Sequence, residues 1–251
     1  MGLRRIDGGP GRIELGDEGP LLTLIESPDA PAPAPTAAGL FHTAIRFPTR
    51  AALAAILRRV ASAGFQLTGA SDHGVSEALY LDDPEGNGVE LYWDRPQEAW
   101  PMAADGSVAM FTAPLDLRDL LIVPDEGTGV AGADIGHAHL KVTDLERAVG
   151  FWNGHLGMNL RARYGAESAF LAAGDYHHHI GLNTWVSRGG PPAPEDAVGL
   201  ERVTLALPGA AALDATVSGL RDAGHEVQDG ADGAALVRDP DGILVELRGA
   251  R

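Results

Sequence analysis

The chain has 251 residues, 45% of them apolar, enough for a real core and ordinary for a folded protein, so wholesale disorder is excluded. The formal charge of -16 opposes nonspecific binding to nucleic acid or anionic lipid, and Lys141 is the single lysine. The absence of cysteine removes disulfides, thiolate metal sites and cysteine nucleophiles.

No apolar run is long enough to cross a bilayer. The N-terminal MGLRRIDGGPGRIELG has positive residues but no hydrophobic run behind them. A cytoplasmic protein with no membrane partner is therefore expected. Ile13 to Leu15 and Leu21 to Ile25 read as two strands joined by a GDEG turn. The proline-rich stretch 27–39 is an extended connector. Phe41 to Phe47 is a strand, with Phe41, Thr43, Ile45 and Phe47 on one side and His42, Ala44 and Arg46 on the other. Residues 49–63 form a helix capped by Thr49, striped by Leu53, Ile56, Leu57 and Val60, and ended by Gly64. Strands are expected at 65–68, 76–81 and 89–93, with the DDPEGNG turn before the last.

This order of strand, helix and three strands returns twice. The second copy has a strand at 135–142, a helix LERAVGFWNGHL opened by Thr143 or Asp144, and strands at 160–163, 168–172 and 177–183. After a Gly/Pro-rich connector at 188–199, the third has a strand at 201–207, a helix at 210–223, and strands at Val227, 234–237 and 244–247. The segment around Tyr80 to Tyr92 is mirrored by 236–248, so Glu90 and Glu246 are equivalent. Residues 1–26 hold only the last two strands of such a unit. The expected organisation is α+β: an incomplete first domain at 1–100, a linker at 101–132 with a short strand and a helical turn, and a second domain at 133–251.

Four residues of the 40–93 copy carry chemistry. His42 opens one strand and Glu90 closes another, and imidazole with carboxylate suits borderline divalent metals. A second histidine would complete the triad of non-haem iron oxygenases. His73 can exchange a proton with a bound phenol, and Tyr80 can orient an oxyanion or relay a proton. The same residues also suit a plain structural role: His42 in the core, Glu90 at a strand end, His73 in a turn, Tyr80 packing a strand, and Glu77 paired with Arg46 or Arg50. Further on, His137 and His139 share a strand face, and alternation along YHHH puts His177 and His179 opposite His178. His137, His179 and Glu246 are a second potential triad. Arg202, a poor metal ligand, stands where His42 stands in its own copy. The DPEG and DPDG acids read as turn residues. No phosphate loop, dinucleotide fingerprint or nucleophile elbow occurs.

GLFHTAIRF, SDHGVSEALYLDDPEGNGVELYWDRP, IGHAHLKVTDLERAVGFW and YHHHIGLNTW together resemble the vicinal oxygen chelate superfamily of glyoxalases, bleomycin-resistance proteins and extradiol dioxygenases. Within it they resemble the two-domain catechol 2,3-dioxygenase-like branch. The resemblance implies repeated βαβββ modules that pair into cupped barrels, the first pair here being incomplete. It implies metal ligation by His42 and Glu90, with His73 and Tyr80 as catalytic residues. The first ligand of that pair would lie in the absent half-module, and His137 would be the first ligand of the second pair. The implied cofactor is Fe(II), with Mn(II) or another divalent metal as the alternative. The implied partners are a catechol-type aromatic diol and O₂. The superfamily equally admits a non-catalytic small-molecule binder, or a metal-dependent lyase or isomerase. The open sheet edge left by the missing half-module predicts a homodimer.

Overall fold

The structure is a computed structural model that describes residues 2–104, 106–127 and 129–250. It is α+β and strand-rich, and it divides into two compact units. The first holds residues 1–29 and 42–137, the second 30–41 and 138–251. The chain passes between them inside two strands.

The first unit begins with a three-stranded antiparallel sheet of β1 (Arg4–Asp7), β2 (Arg12–Gly16) and β3 (Pro20–Ile25). The strands β2 and β3 match the expected pair. The sequence reading missed β1, because RRID has no apolar alternation and is a strand only through its pairing with β2. Next come β4 (Gly39–Phe47), α1 (Arg50–Ser62), β5 (Gly69–Asp72), β6 (Ser76–Asp82) and β7 (Gly88–Asp94). Thr49 caps α1 by accepting from the Ala52 amide, and Gly64, at φ +77°, follows its end. β5 lies four residues beyond the expected strand at 65–68. Its register is set by pairing of Gly69 with Tyr80 and Asp72 with Glu77, while Phe65 stays exposed.

Both faces of β4 are used. Ile45 and Phe47 join Leu53, Ile56, Leu57, Leu79, Leu91 and Leu120 in the core over α1. Ala44, on the other face, packs with Ala78 and Tyr92. That second face also carries His42, Tyr80 and Glu90, since β4 pairs in parallel with β7 and β7 pairs antiparallel with β6. Residues 101–132 are not a free linker. Within them β8 (Ala113–Pro114) pairs with β5, and α2 (Leu117–Leu121) buries Leu120 in the first core. The compact units therefore divide differently from the boundaries 1–100, 101–132 and 133–251. β9 (Asp134–Lys141) gives residues 134–137 to the first unit.

The second unit continues with α3 (Leu145–Val149), which Asp144 caps, and which runs on as a π-helical turn over Gly150–His155. Then come β10 (Asn159–Tyr164), β11 (Ser168–Ala172) and β12 (Ile180–Asn183), with β12 parallel to β9. Residues 177–179 are not part of β12, so the expected alternation along YHHH does not hold. Instead His177 Nδ1 lies 2.7 Å from His178 Nδ1, and Tyr176 lies against the His177 and His179 rings. The third copy supplies β13 (Val203–Leu207), α4 (Ala210–Asp222), β14 (Val227–Asp229), β15 (Ala235–Arg238) and β16 (Leu244–Gly249). Trp152, Leu140, Leu171, Leu182, Val245 and Leu247 centre its core. Among the described residues no helix is long and apolar enough to cross a membrane.

The two repeated turns have the same internal bonding. Asp83 Oδ1 accepts from the amides of Glu85 and Asn87, and Asp239 Oδ1 accepts from those of Asp241 and Ile243. Asp239 differs in being buried, at 4% exposure. Burial, with the nearby Asp241 charge, outweighs the amide bonds and raises its carboxyl to about 6 from 3.8. A raised acid binds its proton more tightly when folded, so its stabilising contribution is complete below pH 3.8 and is lost as pH rises through about 6. Across that window wild type should lose on the order of 3 kcal/mol relative to Asp239→Asn. Urea unfolding of both proteins at a series of pH values checks this, and parallel stability curves would refute it.

Candidate metal centre

The second face of β4, β6 and β7 is lined by small side chains at Ala44 and Ala78, which leave room for larger polar groups. Glu90 is 3% exposed, His42 6% and His137 3%. A buried carboxylate is costly unless it is compensated. Here the compensation comes from two imidazoles. Glu90 Oε2 lies 2.8 Å from His42 Nε2 and 3.2 Å from His137 Nε2, and the two Nε2 atoms are 3.3 Å apart. Burial opposes ionisation of Glu90, but the His137 and His42 rings overcome it and hold the carboxyl well below its usual range.

Among the described residues this is the one cluster of three or more potential metal donors. Three donors bound at right angles to one ion, each about 2.1 Å from it, lie about 3 Å from one another. The observed triangle has edges of 2.8, 3.2 and 3.3 Å, so the donor set fits a single first-row ion. The expected ligands His42 and Glu90 thus come together, and His137 stands beside them as a third potential donor. The sequence reading placed His137 in the second pair because it followed repeat order. In the structure β9 carries it to the same carboxylate. Repeat order carries no signal for that cross-repeat meeting. The residue type, and its place with His139 on one strand face, were already visible.

Tyr80 is the cross-strand partner of Glu90. Burial first, and then the Glu90 charge, push the phenol well above its usual range, so it keeps its proton. His73 Nε2 is 2.8 Å from the Tyr80 hydroxyl, and His73 Nδ1 is 3.0 Å from the Phe111 carbonyl oxygen. A carbonyl can only accept, so Nδ1 carries a proton and donates it. When His73 is neutral, Nε2 accepts from Tyr80. When His73 is charged, Nε2 donates to the Tyr80 hydroxyl oxygen. His73 and Tyr80 thus form a two-residue relay for one proton.

Glu77 pairs with Arg50 at 2.7 Å and with Arg95 at 3.0 Å, while Arg46 pairs with Asp134. The second potential triad has its acid otherwise engaged. Glu246 accepts from Thr204 at 2.8 Å and Arg248 at 2.9 Å, with Arg202 at 3.4 Å. His179 Nδ1 accepts from the Ala173 amide. His139 lies against Phe41, Trp185 and Phe170.

Fold and site together define a βαβββ-repeat protein with a buried two-histidine, one-carboxylate centre. The sequence profile of the Glyoxalase/Bleomycin resistance protein/Dioxygenase superfamily matches residues 1–91 and 134–247, and the chain belongs to that superfamily. It is 41% identical to the catechol-2,3-dioxygenase of Bacillus subtilis (strain 168) over 225 residues, 88% of this chain and 78% of that protein. Two solved structures share the fold. One is a candidate dioxygenase from Bacillus subtilis, with TM-score 0.64 and 15% identity, over 99% of this chain and 77% of that one. The other is glyoxalase I from Zea mays, with TM-score 0.55 and 18% identity, over 98% of this chain and 82% of that one.

Proposed function

We propose that the protein is an Fe(II)-dependent extradiol dioxygenase that opens the ring of a catechol-type diol with O₂. The observation that carries this is the convergence of His42, His137 and Glu90 beside a Tyr80–His73 proton path. Two imidazoles and one carboxylate on one face are the donor set of non-haem Fe(II) oxygenases. The similarity to a catechol-2,3-dioxygenase points the same way. Iron held there would leave positions for both diol oxygens and for O₂, and would supply the electron transfer between them.

The chain's own residues handle the protons. The diol must lose a proton to bind as an anion. Neutral His73 has its lone pair at Nε2, so the proton passes there through the Tyr80 hydroxyl or directly. The Phe111 carbonyl holds the opposite nitrogen protonated, which fixes this tautomer. Imidazolium at His73 can then return the proton to oxygen as the ring opens. Tyr80, kept protonated, donates a hydrogen bond to developing oxyanion charge. Both atoms of O₂ end in the product, so no external reductant is consumed.

Anaerobic loading with Fe(II), metal analysis and O₂ uptake over a panel of catechols test this reading. Stoichiometric iron, O₂ consumption and a yellow ring-cleaved product are expected. His73→Gln should keep its iron and lose about 10² to 10⁴ in turnover. Stoichiometric iron without O₂ uptake from any catechol would overturn the assignment. Preference for Mn(II) in the metal analysis would overturn the choice of iron.

A further inference from the structure

A second pair of imidazoles lies outside the machinery just described. His155 ends the π-helical turn and is exposed, and half-buried His225 follows α4. His225 Nε2 and His155 Nδ1 face one another at 2.6 Å, with ring centroids 4.7 Å apart. Both backbones are fixed. Gly224, at φ +86°, turns the chain out of α4, and the His225 amide bonds back to the Leu220 carbonyl. The widened turn at 150–155 swings His155 toward that corner, with the Leu156 amide on the Phe151 carbonyl. The Phe151 ring stands edge-on to both imidazoles. Among the described residues neither ring has another hydrogen-bond partner.

We infer that His155 and His225 form a further binding site for a divalent late first-row transition ion of the Zn(II), Ni(II) or Cu(II) type. Imidazole nitrogen is a preferred donor for these ions. Two nitrogens sharing one ion at about 2.0–2.1 Å sit about 3.0–3.4 Å apart, so the present pair needs to open by less than about 1 Å. The opening is toward solvent and involves side-chain torsions alone. Binding needs both facing nitrogens as lone pairs. The nitrogen that now donates loses its proton to the opposite nitrogen of the same ring, and no partner holds that opposite nitrogen. The tautomer change is therefore unopposed and releases no net proton. Burial, with the neighbouring His155, lowers the His225 pKa, which favours the neutral, metal-binding form of that ring. Water or an external ligand completes the shell.

Calorimetric titration of the full chain with Zn(II) tests the site. Wild type is expected to take up metal in two phases, one of which is absent from His155→Asn and from His225→Asn. The other phase should instead be lost in His42→Ala. In His42→Ala, whose buried centre is disabled, Cu(II) bound to the pair should show coupling to two imidazole nitrogens by electron paramagnetic resonance, and adding either Asn substitution should abolish it. Both histidines lie at the surface, so the variants should fold, which circular dichroism checks. They should also leave O₂ uptake unchanged. Unaltered Zn(II) stoichiometry in both variants, or a Cu(II) spectrum with oxygen ligands only, would show that the pair is just a hydrogen bond and overturn the inference.

Discussion

Replacing His137 by alanine is expected to abolish divalent-metal binding at the buried centre as completely as replacing His42. The two residues are 95 positions apart in the chain, yet their Nε2 atoms lie 3.3 Å apart, and both face Glu90 Oε2. Losing an outer partner of a metal ligand typically costs 10–100-fold in affinity, so losing a direct donor should cost at least about 100-fold. His139→Ala is the control. It lies two residues along the same strand, packed against Phe41 and Trp185, and should leave metal content unchanged. Metal analysis and titration of the three variants decide the matter. A His137→Ala protein that retains full metal while His42→Ala loses it would place His137 outside the centre. Without metal, either alanine variant also leaves the buried Glu90 charge with one imidazole fewer, so a loss of stability should accompany the loss of affinity.

Gly136→Ala is expected to damage fold and site together. A β-carbon at residue 136 would lie 1.7 Å from the Tyr92 hydroxyl, 2.7 Å from Cζ and 3.1 Å from Cε1. Tyr92 has no room to retreat, being fully buried against Ala44 and Ala78 with its ring 5.1 Å from that of His137. Overpacking of this kind costs about 1–3 kcal/mol. The strain falls on the residue next to His137, the proposed third donor, so metal affinity should fall as well. Adding Tyr92→Phe removes the worst contact but leaves the ring carbons close, so the double variant should recover part of the stability. Urea unfolding and metal titration of both proteins test this. A single variant within about 0.5 kcal/mol of wild type would mean that the close approach is not rigid.

Local signals in the chain proved strong. Thr49 caps the helix it is expected to open, Asp144 rather than Thr143 caps α3, and the α1 stripe of Leu53, Ile56, Leu57 and Val60 is buried. The Asp83 and Asp239 turns bond their own amides in the same way. These features depend on side chains a few residues apart, so spacing reveals them. His73 and Tyr80, seven residues apart, also meet, because the turn and β6 between them are local. The strand at 69–72 was misplaced because GASD has no apolar pattern and is held by its partners. The sequence reads LERAVGFWNGHL as one helix and gives no separate sign of the π-helical turn that ends it at His155.

The sequence by itself determined the repeat, the strand at 89–93 that carries Glu90, and the residue types for metal and proton chemistry. Alternation and turn chemistry are written in contiguous residues. Only the tertiary structure decided which histidine completes the centre. A strand's neighbour is chosen by hydrogen-bond pairing and by the space left beside Ala44, Ala78 and Gly136, neither of which repeat order encodes. His137 therefore joins the carboxylate of Glu90, while Glu246, its sequence equivalent, is taken up by Thr204, Arg202 and Arg248.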